Sequence, residues 1–292
     1  MKILYDEPMA GHTTMRVGGP ADRLITVSAE EELLEILKQA EAEGVPHVVI
    51  GNGSNLLVSD EGYRGWIITT AGGLTDIRTE GEHDGEVLIR AESGATLAAV
   101  AKFARDCALT GLEFAAGIPG TVGGGVVMNA GAYGGECKDV IQSVRVIRAT
   151  GERGTLTNEE LHFGYRTSAL KRSGEIVSAA VFSLRRGDQE VIEARMEELA
   201  VRRREKQPLS YPSAGSTWKR PEGLFAARLI EEAGCKGLAV RDAQISEKHA
   251  GFLINKGKAT AADICALMCE VERRVFENSG IRLEREVLLL GF

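Results

Sequence analysis

Neither of the two common nucleotide-binding glycine patterns is completed anywhere in this sequence. Gly51-x-Gly53 is followed by Leu56, and Gly123-x-Gly125 by Met128, where a dinucleotide fingerprint needs its third glycine. The Gly257-Lys258 pair runs into Ala259 instead of the hydroxyl residue of a phosphate-binding loop. Any nucleotide is therefore held by a different fold. No stretch approaches the roughly 18 apolar residues that a membrane-spanning helix needs. The opening MKILYDEPMAGH meets Asp6, Glu7 and Pro8 before a signal-peptide core could form, so a cytoplasmic location with no membrane partner is expected. The five cysteines, Cys107, Cys137, Cys235, Cys265 and Cys269, include no CxxC pair, which argues against a zinc site or a disulfide framework. All five are read as packing residues, Cys265 and Cys269 on one helix face, and no metal site is expected. A basic excess is missing too: the net charge of -7 disfavours a nucleic-acid partner.

What the sequence does have is glycine, crowded into GIPGTVGGGVVMNAGAYGGE from Gly117 to Glu136. Glycine loses more conformational freedom on folding than any other residue, so a dense run is tolerated where backbone turns tightly or approaches a ligand closely. Amides gathered in this way can cradle a pyrophosphate, a flavin or a sugar nucleotide. Ile118, Pro119, Val122, Val126, Val127 and Met128 would be wasted in a solvated linker, and they imply a packed loop. A second glycine site, GNGSN from Gly51 to Asn55, follows the strand expected over 46–50. It reads either as a phosphate-binding turn or as a hairpin.

Taken in order, the chain offers a Gly-Gly-Pro turn, a strand over 24–27, and a helix that Ser28 and Glu31 would open as a capping box and Gly44 would close. Short strands occupy 63–91, and an amphipathic helix is expected over 96–110. Strands over 144–149 and 175–184 precede a charged helix over 188–206. Pro208, Pro212 and Pro221, three of the seven prolines, then mark a boundary near 205. A short helix, strands within 242–255, a helix over 261–278 and a closing strand over 281–292 follow. Strands and helices mix without strict alternation, so the fold class is α+β.

Three polar spots sit beside turns: Tyr165-Arg166 after Gly164, Ser213 to Ser216 before Trp218-Lys219-Arg220, and Glu284-x-Glu286 in the closing strand. Each alone reads equally as a surface arginine, a proline-rich turn and a solvated strand face. Arg202, Arg203, Arg204, Lys206, Lys219 and Arg220 form a local basic cluster, part of which suits a helix C-terminus.

GNGSNLLV, GIPGTVGGGVVMNAGAYGGE, FGYRTS, SAGSTWKRP, AQISEKHAGFLIN and LEREV, in that order, closely resemble the UDP-N-acetylenolpyruvoylglucosamine reductases of peptidoglycan synthesis. The resemblance spans nearly the whole chain. It implies a two-subdomain FAD-binding domain of the vanillyl-alcohol-oxidase type, at 1–69 and 70–204, and a substrate domain at 205–292. FAD, held non-covalently, would lie against Arg16, Gly18, Gly51, Asn52, Gly53, Ser54 and Asn55. Its ring would meet Gly117, Ile118, Pro119, Gly120, Gly123, Gly124 and Gly125. NADPH would be the hydride donor and UDP-N-acetylglucosamine enolpyruvate the acceptor, in a monomeric enzyme. Carried over by motif, Ser216 would donate the proton, Arg166 would hold the substrate carboxylate, and Glu286 would assist, protonated by burial. Glu284, two residues away on the same strand face, is the alternative to Glu286. Asn129, Tyr165, Lys219, Arg220 and His249 would touch substrate.

The chain departs from the family pattern at Arg285, where proline is common, and at Trp218, where phenylalanine is common. Only 49 residues separate Arg166 from Ser216, so it resembles the shorter type II branch. Two alternatives stand beside this reading: another FAD-dependent oxidase of the fold, and a non-catalytic sugar-nucleotide binding protein. Many such oxidases attach flavin through histidine, and none of the five histidines lies in the glycine loops.

Overall fold

In the computed structural model, which describes residues 1–148 and 150–292, the chain opens with strands β1 (Lys2–Pro8) and β2 (Pro20–Thr26) and helix α1 (Glu30–Glu43). Leu33, Leu34, Ile36 and Ala40 give α1 its buried face, and Gly44, at φ 62°, closes it as expected. The start differs from the expected capping box. Ala29 is the N-cap and has no side-chain oxygen to offer; Glu32 instead reaches back to the Ser28 N–H at 2.7 Å. Strands β3 (His47–Ile50), β4 (Leu56–Val58), β5 (Tyr63–Thr69), β6 (Ile77–His83) and β7 (Glu86–Glu92) follow. Strand β3 pairs in parallel with β5, in a four-stranded sheet of order β1-β2-β5-β3.

Helix α2 (Leu97–Asp106) is capped by Thr96, whose hydroxyl accepts the Ala99 N–H at 3.1 Å. It ends earlier than its apolar spacing suggests, because Ala108 takes a left-handed φ of 54° and turns the chain into β8 (Leu109–Thr110). The glycine run is not one loop. It forms a 3-10 turn at Glu113–Gly117, helix α3 (Val122–Val127), and the paired strands β9 (Gly131–Ala132) and β10 (Gly135–Glu136). The glycines of α3 serve close packing. A Cβ on Gly123 would come 3.1 Å from the Ser93 Cβ, and one on Gly125 3.0 Å from Leu97.

Strands β11 (Ile141–Ile147), β12 (Arg153–Thr157) and β13 (Ile176–Arg186) complete a six-stranded antiparallel sheet, β12-β11-β13-β7-β6, with β8 on β13. Ala149, the last residue of the strand expected over 144–149, lies outside the described residues. The short helix α4 (Leu170–Ser173) precedes β13 and α5 (Gln189–Lys206) follows it. Ile89, Ala180 and Phe182 of the sheet share a core with Val100 and Ala104 of α2 and Val126 of α3.

The remaining elements are β14 (Ser213–Ser216), α6 (Ala226–Glu232), β15 (Ala239–Val240), β16 (Ala243–Ile245), β17 (Phe252–Asn255), α7 (Ala261–Ser279) and β18 (Leu288–Leu290). Their sheet runs β14-β17-β16-β15. Ile264, Leu267, Met268, Val271 and Val275 form the buried stripe of α7. Its first turn carries a capping box of Thr260 and Asp263, and the Asp60 carboxylate accepts the Ala261 and Ala262 N–H groups at 2.8 and 2.9 Å. The closing strand is much shorter than expected, because its parallel partner β4 offers only three residues. Upstream of it, Arg285 forms an isolated bridge to Trp218.

The chain divides into two units that are discontinuous in sequence. The first comprises Met1–Leu4, Leu24–Asn52 and Trp66–Arg203, the second Tyr5–Arg23, Gly53–Gly65 and Arg204–Phe292. Among the cysteines, Cys137 and Cys235 are buried, and burial pushes the Cys137 thiol up to about 12. Cys107 and Cys269 are exposed, so the packing role expected for all five fails for these two; on α7, Cys269 lies outside the buried stripe. No helix among the described residues is long and apolar enough to cross a membrane, and among them no group of His, Cys, Asp and Glu is arranged to hold a metal ion.

Replacing Thr260 by alanine removes one side of the α7 capping box and is expected to cost about 1 kcal/mol. A urea titration followed by circular dichroism measures it; the Asp60 contacts to the same helix start keep the loss from being larger.

Candidate active site

In the first unit, the two glycine sites meet. The Asn52 side chain donates to the Pro119 carbonyl at 3.1 Å, and a Cβ on Gly51 would fall 2.1 Å from Thr121 Oγ1. Only glycine fits there. Among the described residues the Thr121 and Ser93 hydroxyls, each 1% exposed, have no hydrogen-bond partner. Buried hydroxyls left without a partner cost free energy, and such groups call for an occupant that completes them. A cradle lined by bare backbone and two unanswered hydroxyls fits a polar, planar group such as FAD. Several amides expected to face a ligand are already used, however: Val122 donates to Ala95 O and Gly123 to Ser93 O, both at 2.8 Å. At the other end of the run, Arg203 lies where a Gly117 side chain would be, and burial lowers its pKa.

Arg166 is carried on a tight turn of this unit. Gly164 and Thr167 exchange both backbone hydrogen bonds, at 3.0 and 3.3 Å, leaving Tyr165 and Arg166 as a two-residue tip with Arg166 at φ 54°. The Ser168 hydroxyl ties the turn to the Val127 carbonyl at 2.9 Å. The guanidinium lies over the Tyr165 ring at 5.2 Å and donates to Gly131 O at 3.3 Å. Asn129, expected to touch substrate, does not have its side chain available for it. Fully buried, it donates to Glu136 Oε2 at 2.8 Å and to Gly164 O at 3.0 Å, and accepts the Lys138 N–H at 3.0 Å. Its amide has become part of the Arg166 turn.

In the second unit, Ser216 ends β14 opposite Phe252, after a bulge at Gly215, φ 79°. The hydroxyl is on an exposed residue. Thr217 follows, buried; its N–H donates to Gly251 O at 2.9 Å and its hydroxyl accepts the Leu253 N–H at 3.2 Å. The Thr217 carbonyl accepts the Glu286 N–H at 2.8 Å, so Ser216 and Glu286 stand on adjoining, directly bonded segments. Asn55, expected at the cofactor, fastens the same place: its side chain donates to Glu286 O at 3.0 Å, and its carbonyl accepts the Leu288 N–H at 2.9 Å.

Glu284, the alternative to Glu286, is exposed and ion-paired with Lys219. That pair also occupies Lys219, expected at the substrate. The two glutamates do not share a strand face, because neither lies in a strand. Arg220 stacks on Phe225 at 5.3 Å. Gly18, at φ 135°, and Gly53, at φ 59°, meet Val58 and His12 at distances no side chain allows, so chain packing already explains them. Arg16 is exposed and Ser54 half-buried. His249 accepts the Gly251 N–H on Nδ1 at 3.1 Å, which makes Nε2 the protonated nitrogen of the neutral ring, and burial lowers its pKa.

Sequence reasoning missed Thr121 and Ser93, whose signal lies only in what surrounds them, and read Arg203 only as a member of the basic cluster. It also missed Glu272, which accepts from both Trp218 and Arg285, the two residues at which the chain departs from the family pattern.

Residues 21–157 match the FAD binding domain family, and residues 207–290 match the C-terminal domain of UDP-N-acetylenolpyruvoylglucosamine reductase. The protein is thus a flavoprotein, built from an FAD-binding domain and a family-specific C-terminal domain. It is 48% identical over 289 residues to a UDP-N-acetylenolpyruvoylglucosamine reductase of Geobacillus kaustophilus, covering 99% of this chain and 93% of that one. The crystal structure of the Thermus caldophilus reductase superposes with a TM-score of 0.83 at 38% identity, over 99% of this chain and 98% of that one. A cholesterol oxidase of Brevibacterium sterolicum, at 11% identity and a TM-score of 0.50 over 63% of this chain and 38% of that one, shares the fold alone. The chain belongs to the UDP-N-acetylenolpyruvoylglucosamine reductase family.

Two substitutions test this geometry. Thr121→Val removes an unanswered hydroxyl, so it should raise the melting temperature of the apoprotein and weaken FAD binding up to about tenfold, the loss of one neutral hydrogen bond; fluorescence titration of apoprotein with FAD reads the second effect. For His249 the unfolded ring takes up its proton near pH 6.5 and the folded ring only at lower pH. Stability is therefore lost as pH falls below about 6.5. In His249→Asn that part of the decline in melting temperature between pH 7 and 5 should disappear.

Proposed function

We propose that the protein reduces UDP-N-acetylglucosamine enolpyruvate to UDP-N-acetylmuramate with NADPH as donor, a step of peptidoglycan precursor synthesis. One observation carries the assignment of the reacting groups: the Glu286 N–H to Thr217 O bond, which sets a carboxyl-bearing segment directly against the serine-bearing one. FAD, when bound, supplies the hydride relay between NADPH and the enolpyruvyl double bond.

The chain's own residues do the rest. Ser216 donates its hydroxyl proton to the carbon next to the methylene, the carbon left basic when hydride arrives. A serine is a weak acid, so this role needs a strongly basic acceptor and a fixed hydroxyl. The β14 bulge and the two Thr217 hydrogen bonds provide the second. Arg166 takes the substrate carboxylate; its fork of donors suits two carboxylate oxygens, and its charge stabilises the enolate that develops there. Glu286 assists at the same carbon. Tyr165, Arg220 and His249 complete substrate contact, His249 as a neutral donor through Nε2. Gly51, Asn52, Thr121, Ser93 and the 117–125 segment hold FAD without a covalent link. The enzyme acts as a monomer and in the cytoplasm, the latter since both reactants are charged nucleotides that do not cross a membrane unaided.

The half-reactions test the assignment. In anaerobic stopped flow, Ser216→Ala should bleach with NADPH at the parental rate, while recovery of the flavin bands with UDP-N-acetylglucosamine enolpyruvate slows about 10²- to 10⁴-fold. Equal loss in both halves would remove Ser216 as the donor. Colour that returns only on admission of air would transfer the protein to the oxidase reading.

A further inference from the structure

Trp218 lies two residues after Ser216, Arg285 lies one before Glu286, and the two face each other in an isolated antiparallel bridge. Their side chains converge on a single carboxylate of α7. The Trp218 indole N–H donates to Glu272 Oε1 at 2.9 Å; Arg285 donates from Nε to the same oxygen at 2.7 Å and from Nη2 to Oε2 at 2.9 Å. The hydrogen bonds to Glu272 raise the pKa of Arg285 further above its already high value.

This arrangement does more than bury a residue. Trp218 is 2% exposed, and a buried indole requires an acceptor for its N–H. The fork-to-carboxylate contact of Arg285 fixes orientation as well as distance. The indole is a rigid ring, and α7 is anchored by Leu267, Met268, Val271 and Val275, each fully buried. A partly exposed ion pair on its own adds little stability. One that also caps a buried indole, and ties two backbone segments to a rigid helix, sets their spacing.

We infer that Glu272 is a positioning residue: from α7, through Trp218 and Arg285, it fixes the segment that carries Ser216 against the segment that carries Glu286. The inference rests on the roles proposed above for those two residues. Proton delivery from a weak acid depends steeply on distance and direction. Loosening the clamp therefore harms the substrate half-reaction and spares flavin reduction by NADPH.

The test uses the FAD-loaded enzyme and its Glu272→Gln variant, which keeps the shape but turns an N–H group towards the Arg285 fork. Recovery of the flavin bands with UDP-N-acetylglucosamine enolpyruvate should slow at least tenfold, with kcat falling more than KM rises. Bleaching by NADPH should stay within twofold and the flavin spectrum unchanged. Trp218→Phe keeps the ring and removes one donor, so it should give a smaller defect of the same kind. Combined with Glu272→Gln, it should add nothing further, since both act through one clamp. Arg285→Lys, which retains charge and loses the fork, carries the same test should Glu272→Gln fail to fold. A lowered melting temperature with both half-reactions slowed alike would overturn the inference, as would an unchanged substrate half-reaction. A selective defect in Ser216→Ala with none in Glu272→Gln would overturn the clamp alone. Absence of that defect in Ser216→Ala would overturn the reading of the site and the clamp with it.

Discussion

The backbone hydrogen bond from the Glu286 N–H to the Thr217 carbonyl, with its companion from the Lys219 N–H to the Glu284 carbonyl, is the constraint on which the placing of the Ser216 and Glu286 segments depends. Neither segment has regular structure to hold it at that point: β14 has just ended after a bulge, and β18 has not yet begun. Everything near the bond acts to keep it in place. Asn55 holds the Glu286 carbonyl, Gly251 and Leu253 hold Thr217, and Glu272 joins the flanking Trp218 and Arg285. Irregular backbone suits a reacting group, since it lets a side chain leave the sheet; the surrounding bonds supply the rigidity that a regular ladder would otherwise give.

The first unit solves a similar problem for Arg166 by another route. There a two-residue turn carries the cation, and the buried amide of Asn129 grips the turn at Gly164 while the guanidinium reaches Gly131. One loop of the glycine run thus sets both the backbone and the side chain of Arg166. The neighbouring helix α3 shows why the run is so rich in glycine. Its residues 123 and 125 approach Ser93 and Leu97 at backbone distance, which keeps the 129–131 loop close to the sheet core.

Much of this could be read from residue order. Amphipathic spacing located α1 and α2, a charged run ending near Pro208 located α5, the run over 261–278 located α7, and six collinear motifs pointed to the family and to Ser216, Arg166 and Glu286. What could not be read were the facts that depend on pairing. The partner of the closing segment is only three residues long, so the strand expected over 281–292 shrinks to Leu288–Leu290. Strand β4 pairs in parallel with β18, which disposes of a hairpin at Gly51 to Asn55. Asn129 is expected at the substrate only through the family resemblance; its three protein partners become visible only when residues 136, 138 and 164 are brought beside it. Spacing alone also gave no sign that Glu284 pairs with Lys219, 65 positions away in the chain.

The Asn55 side chain and the Glu286 carbonyl are 231 positions apart in the chain. Thr14 and Ser213, joined by a 2.7 Å hydrogen bond from the threonine hydroxyl, are 199 apart. Contacts of such long range form only after a large loop has closed, and they are slow steps in folding. During synthesis, residues 5–23 and 53–65 leave the ribosome able to bond to each other, as Thr14 does to Gly53 and Gly19 to Ser59, while their contacts with residues 204–292 wait for the end of the chain. The segments that carry Ser216 and Glu286 are therefore held by contacts that only the finished chain can make.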